Sequence, residues 1–158
     1  MAPITISLAV ALTWQTPDTD AKSMDFWIGS WVADSHQPDK DGKMQLAKDA
    51  AHNTVSKIKG GKVVHEDFHT GGFNGESWSV FDPKESKWHQ TWVDDSGAYL
   101  TFEGGKVGSE VILTQTHPKK EQRMRFTKIT AQSFVWIWEH KDAAGWKTDW
   151  QLDYRRTG

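Results

Sequence analysis

The segment "GWKTDWQLDYRR", residues 145–156, decides the fold. Within it Trp146, Thr148, Trp150, Leu152, Tyr154 and Arg156 alternate with Lys147, Asp149, Gln151, Asp153 and Arg155, so one face is aromatic and the other charged. A period of two sends successive side chains to opposite faces of a β-strand, whereas a helix would spread both sets around its axis. A strand with one wet face and one packed face belongs to an antiparallel sheet.

The same rhythm runs upstream. From Asp25 onward, short runs rich in Val, Ile, Thr, Phe and Trp are broken by turn-forming residues at spacings of roughly 8 to 12. Strands are expected near 27–34, 51–59, 62–70, 76–82, 87–94, 98–103, 109–116, 122–129, 133–140 and 146–156. Gly60-Gly61, Gly71-Gly72, Asp82-Pro83, Asp95-Ser96-Gly97, Gly104-Gly105 and Asp142-Ala143-Ala144-Gly145 separate them. Residues 36–50, "HQPDKDGKMQLAKDA", form one long polar connection, expected to hold a helical turn and to serve as a lid. Asp39 and Asp41-Gly42 resemble the opening of a calcium loop, but the remaining ligand positions are missing and the reading is a solvated turn. An all-β, single antiparallel barrel of about eight to ten strands over 25–158 is expected, since closure removes the edges that hydrophobic strands would leave exposed.

One stretch argues against this fold. "VHEDFH", residues 64–69, contains the H-E-x-x-H pattern of zinc peptidases, which has meaning only on a helix. On a strand His65, Asp67 and His69 face one way, and Val64, Glu66 and Phe68 the other. The two imidazoles are then roughly 13 Å apart, too far to share a zinc whose bonds to nitrogen are about 2 Å. No metal site is expected there. His65, Asp67 and His69 read as an outer, solvated face, and Glu66 as an interior carboxylate.

Phase arguments extend the interior. On "KWHQTWVDD" Trp88, Gln90, Trp92 and Asp94 share a face, opposite His89, Thr91 and Val93. On "SFVWIWEH" Phe134, Trp136, Trp138 and His140 are assigned inward, against Val135, Ile137 and Glu139. Ten Trp and seven Phe against two Tyr exceed what packing a small core requires. Core filling accounts for the tryptophans but not for Glu66, Gln90 and Asp94 in the same interior phase; polar groups among aromatics are characteristic of a ligand cavity.

Composition narrows the classes of function. The chain has 158 residues, the usual size of one domain. With 19 basic and 21 acidic residues, and a net charge of -2, it offers no basic face for a phosphate backbone, so no nucleic acid partner is expected. With no cysteine there is no disulfide, thiolate nucleophile or Cys-ligated zinc. No run approaches the roughly 18 apolar residues of a membrane span, and no integral membrane association is expected. Residues 1–24 read as an N-terminal leader, either a signal remnant with Ala9-Val10-Ala11 as a cleavage triplet or an extra strand in which Ile4, Ile6, Leu8, Val10 and Leu12 alternate. Export is preferred to a cytoplasmic location.

Three segments carry a resemblance. "DFWIGSW" (25–31), "HEDFHTGGFNGESWSVFDPKESKWHQTWVDDSG" (65–97) and "WEHKDAAGWKTDWQLDYRR" (138–156) resemble a bacterial family of lipocalin-like proteins of unknown function, over roughly residues 25–156. The most specific part is W-x-Q-x-W-V-D-D-x-G, at Trp88, Gln90, Trp92, Val93, Asp94, Asp95 and Gly97. The resemblance implies a calycin-type barrel. It also implies that Gly29-Ser30-Trp31 is the G-x-W of the first strand, with Arg155 or Arg156 packed as a cation across that indole. His65 and His69 depart from the family pattern. No reaction follows from the resemblance.

The leading expectation is a binding module for a small apolar or aromatic molecule. Phe68, Trp78, Trp92, Trp136, Trp138, His140 and Tyr154 would contact it, and Glu66, Gln90 and Asp94 would orient it, with no cofactor. The alternative is a cofactor-independent lyase, isomerase or cyclase in which Glu66, aided by Asp94, moves a proton. A third reading, haem ligation through His140 or another histidine, rests on histidines and apolar walls alone. No G-x-S-x-G, phosphate-binding glycine loop or Cys/His nucleophile arrangement occurs, and nothing in the sequence marks Ser77 or Ser79 as activated.

Overall fold

A computed structural model describes residues 20–158. The expected leader falls largely on residues 1–19, outside them. A 3-10 turn at Asp25–Trp27 leads into ten strands: β1 (Gly29–Pro38), β2 (Met44–Ile58), β3 (Val63–Thr70), β4 (Asn74–Asp82), β5 (Lys87–Asp94), β6 (Tyr99–Val107), β7 (Glu110–His117), β8 (Gln122–Thr127), β9 (Ser133–Asp142) and β10 (Gly145–Arg156). Each pairs antiparallel with its neighbours in sequence, and β1 pairs with β10, closing an up-and-down barrel. Every expected strand is present.

Closure leaves two ends with different chemistry. One end gathers the turns after β2, β4, β6 and β8 together with residues 20–28, and the chain folds across it as a plug. Met24 and Trp27 are fully buried there, and Phe26 packs edge-on against Phe126 and Phe134 with ring centroids 5.7 and 5.6 Å apart. Buried Trp31 donates its indole N–H to Trp27 O at 2.8 Å. The Arg156 guanidinium lies 4.1 Å from the Trp31 ring and donates to Ile28 O, Phe26 O and Ala131 O, so Arg156 is the barrel-closing arginine. Gly29, at φ 139°, is required for this approach, because a Cβ there would collide with that guanidinium. Arg155 points outward to Asp34 and Asp49 instead.

Two expectations are overturned. Residues 36–50 are not a helical lid: β1 and β2 continue through them as a hairpin, and only 39–43 form a turn. The Asp39 carboxylate holds that turn by accepting from the Asp41 and Lys43 amides, both at 2.9 Å, and from Gln45 Nε2 at 2.8 Å. The alternation of 146–156 is also not continuous. A register shift between Thr148 and Trp150 reverses the phase at Asp149. Trp150, Leu152, Tyr154 and Arg156 keep the inner face; Trp146 turns outward, where Arg123 stacks 3.9 Å from its ring. Arg123 is in turn anchored by Glu139 at 2.7 Å.

Candidate functional site

Inward-facing residues of the strands enclose a cavity of about 280 Å³. Its floor is Trp27 of the plug, and its walls are mainly aromatic: Phe68, Trp92, Phe102, Phe126, Trp136, Trp138, Trp150 and Tyr154, with Leu100, Met124 and Leu152. Trp136 stands edge-on to Trp150 at 5.4 Å and stacks with Trp138 at 6.3 Å, while Phe102 meets Trp138 at 5.7 Å. Apart from the stacked Trp136–Trp138 pair, these rings meet edge to face, as their quadrupoles prefer, and they leave space between them. That space sits at the small end of the roughly 300–1,000 Å³ common for ligand pockets.

Glu66 is the acidic group inside. Strand alternation places it, with Val64 and Phe68, on the inner face of β3, and it is 7 % exposed. Asn53 Nδ2, from β2, donates to Oε1 at 2.7 Å; Ser77 Oγ, from β4, donates to Oε2 at 2.6 Å. Burial pushes its pKa up to about 7, the two hydrogen bonds pulling against that rise. Tyr154, from β10, is buried beside it. Its phenol is pushed well above the ordinary value by burial first and by the Glu66 charge second, with the Asn53 amide opposing. Asn53 Oδ1 and the Trp27 indole N–H are buried without hydrogen-bond partners. Gln90 lines the same cavity, its amide donating to Ser79 Oγ at 3.1 Å.

Asp94 lies at the mouth rather than deep in the interior. Burial raises its pKa, but the Ser96 hydroxyl, the Trp92 indole and the Ala98 and Ser96 amides outweigh that and hold it below the usual carboxylate range. The Trp92 indole bond, 2.9 Å, fixes the ring across the opening. Gly75 faces that ring so closely that a Cβ would collide with it. Phe73, on the β3–β4 turn, completes the mouth by meeting Phe68 at 5.9 Å, Trp92 at 6.5 Å and Trp150 at 6.0 Å. The Thr70 hydroxyl positions it, donating to Phe73 O and accepting from the Phe73 and Gly72 amides.

Of the residues expected to contact a ligand, Phe68, Gln90, Trp92, Trp136, Trp138 and Tyr154 converge on the cavity with Glu66 and Asp94. Trp78 and His140 do not. Trp78 is 38 % exposed on the outer face, its ring 5.4 Å from that of His65. The inner positions of β4 belong to Gly75, Ser77 and Ser79, small residues that leave the cavity open and bond the inner polar groups. His140 sits beside the β10 bulge, where Asp149 holds its Nδ1 at 2.8 Å. No histidine lines the cavity among the described residues, which removes the basis for haem ligation through His140.

Sequence reasoning missed Asn53, Ser77, Phe73 and the floor residue Trp27. The alternation of "GESWSV" carried a usable signal, since Ser77 and Trp78 cannot both face inward.

Outside the barrel, His65 pairs with Glu76 at 2.7 Å, and His69 with Asp67 at 2.9 Å and Asn74 at 2.9 Å. Among the described residues, metal-ligand spacing occurs at Asp82, Glu85 and His89, on the outer surface near the plug and apart from both those histidines. No helix among the described residues is long and apolar enough to cross a membrane. A scan against protein-family models finds no match for the chain, and a search of the curated proteins finds no relative.

Proposed function

We propose that the protein binds a small apolar or aromatic molecule inside the barrel, in the manner of a lipocalin-like (calycin) binding module. The observation that carries this reading is the aromatic-walled cavity with a buried carboxylate, which combines non-directional apolar contact with an orienting polar group. The Arg156–Trp31 closure supports the lipocalin-like part of the proposal. N-Phenyl-1-naphthylamine, neutral and fluorescent in apolar surroundings, is the test ligand. Micromolar binding that weakens at least tenfold in Trp136→Ala, and not in the outward-facing Trp146→Ala, supports the reading. Equal loss at both positions, or no binding, overturns it.

A second reading is favoured by the Glu66 pKa of about 7, near the value at which a general acid or base works best at neutral pH. Under it the barrel is a cofactor-independent lyase, isomerase or cyclase. Glu66→Gln should then abolish turnover while leaving the fold and the affinity for neutral aromatic molecules intact; retained turnover excludes the carboxylate as proton carrier.

A further inference from the structure

We propose that the ligand is an organic cation, an aromatic or apolar body carrying one ammonium group that pairs with Glu66. The inference rests on the cavity reading above and specifies its occupant.

The cavity lining contains two carboxylates, Glu66 and Asp94, and no Lys, Arg or His among the described residues. Buried charges are ordinarily paired, yet Glu66 has only neutral partners. The elements around it bring Asn53 from β2, Ser77 from β4 and Tyr154 from β10; His65 and Asp67 stand on the outer face of its own strand. Both of its oxygens accept hydrogen bonds, an arrangement that suits the ionised carboxylate while its burial disfavours it. A cation in the cavity resolves that conflict. The indoles of Trp136, Trp138 and Trp150 line the same cavity and supply electron-rich rings of the kind that stabilise an ammonium, and Asp94, held ionised at the mouth, gives the approach path the same sign. An anionic ligand would meet two carboxylates with no compensating charge.

The test compares 2-phenylethylamine, 2-phenylethanol and 3-phenylpropionate by calorimetry at pH 8. The amine is expected to bind at least tenfold tighter than the alcohol, with the propionate weakest. Because the ammonium requires ionised Glu66, amine affinity in the wild-type protein should fall about tenfold from pH 8 to pH 6, and binding at pH 6 should release a proton, seen as heats that vary with the buffer. Alcohol affinity should not follow that profile. Glu66→Gln should erase the preference for the amine, whose affinity falls about ten- to a hundredfold while that of the alcohol changes by a smaller factor. If the alcohol matches the amine, or the amine preference shows no pH dependence, the cation inference is wrong while the cavity reading stands. If none of the three binds and N-phenyl-1-naphthylamine fails as well, both fall.

Discussion

At the plugged end of the barrel, Arg156 ties three backbone carbonyls and covers the buried Trp31 ring. At the mouth, the Phe73 side chain meets Trp92 and Trp150 edge-on and Phe68 at a tilt, through ring contacts alone. Aromatic rings line both ends, but opening them has unequal consequences. Displacing the plug strands buried hydrogen-bonding groups and a guanidinium, whereas swinging Phe73 aside breaks dispersion contacts that a ligand ring can replace. Under the proposed binding function, stability is therefore concentrated at one end and ligand exchange at the other.

The most severe way to break this contrast is at the plug. Trp31→Ala should destabilise the protein by about 3–5 kcal/mol, the range for removing a buried Trp, and Arg156→Lys should not preserve the closure because an ammonium cannot reproduce the guanidinium fork. Urea denaturation checks both. A loss under about 1 kcal/mol for Trp31→Ala would mean that the plug is not what holds the barrel shut.

Glu66 lies between the two ends, and its effect depends on pH. Its folded pKa, about 7, is raised above the ordinary value of 4.5, so between those values the folded state holds more protons than the unfolded one. Its contribution is fully present below 4.5 and is lost as pH rises through 7. Glu66→Gln removes that loss. The variant should gain stability relative to wild type on going from pH 5 to pH 8, by an amount on the order of 3 kcal/mol. A difference that stays flat across this window would show that the carboxylate is not buried as described.

At the mouth, Phe73→Ala should change stability by about 1 kcal/mol or less, because its ring is only partly buried and touches its neighbours edge-on or tilted. Its effect should instead appear in stopped-flow release of N-phenyl-1-naphthylamine, faster in the variant than in wild type. Unchanged release would locate the exit elsewhere.

Reading this molecule from its sequence succeeds where backbone geometry alone decides. The inward phase of Glu66, Gln90 and Trp92 follows from period two, which no side chain can alter within an uninterrupted strand; on 133–140, apolar on both faces, period two alone does not choose the face. It fails where the pairing shifts. Nothing local in "WKTDWQ" marks Asp149 as a bulge, so uninterrupted alternation puts Trp146 on the wrong face; His140, on the unshifted β9, is held instead by the Asp149 carboxylate. Trp78 misled for another reason: a large apolar residue was taken as interior, when the cavity needs the small Ser77 and Ser79 there. Asn53 and Ser77 meet Glu66 only through cross-strand register, set by the lengths of two turns. The 36–50 hairpin was read as a loop because its exposed strands carry polar residues on both faces.

The smallest expected effect lies on the outer face of β3, at the two histidines of the H-E-x-x-H stretch. His65 and His69 are held by exposed or half-exposed acceptors, Glu76, Asp67 and Asn74, rather than by each other. Exposed pairs of this kind contribute little, so His65→Ala and His69→Ala should each change stability by about 0.5 kcal/mol or less. The His69 pKa is raised, first by its hydrogen bond to Asn74 and then by Asp67. Its small contribution is therefore present in full below the ordinary value of 6.5 and disappears as pH rises through the folded value, so the His69→Ala deficit should shrink toward alkaline pH. Elemental analysis of untagged protein should find no stoichiometric zinc that either substitution removes, since a strand holds the imidazoles too far apart to share an ion. Zinc lost from both variants, accompanied by destabilisation of several kcal/mol, would replace a solvated face with a structural metal centre and undo the division between a bonded plug and a loosely closed mouth.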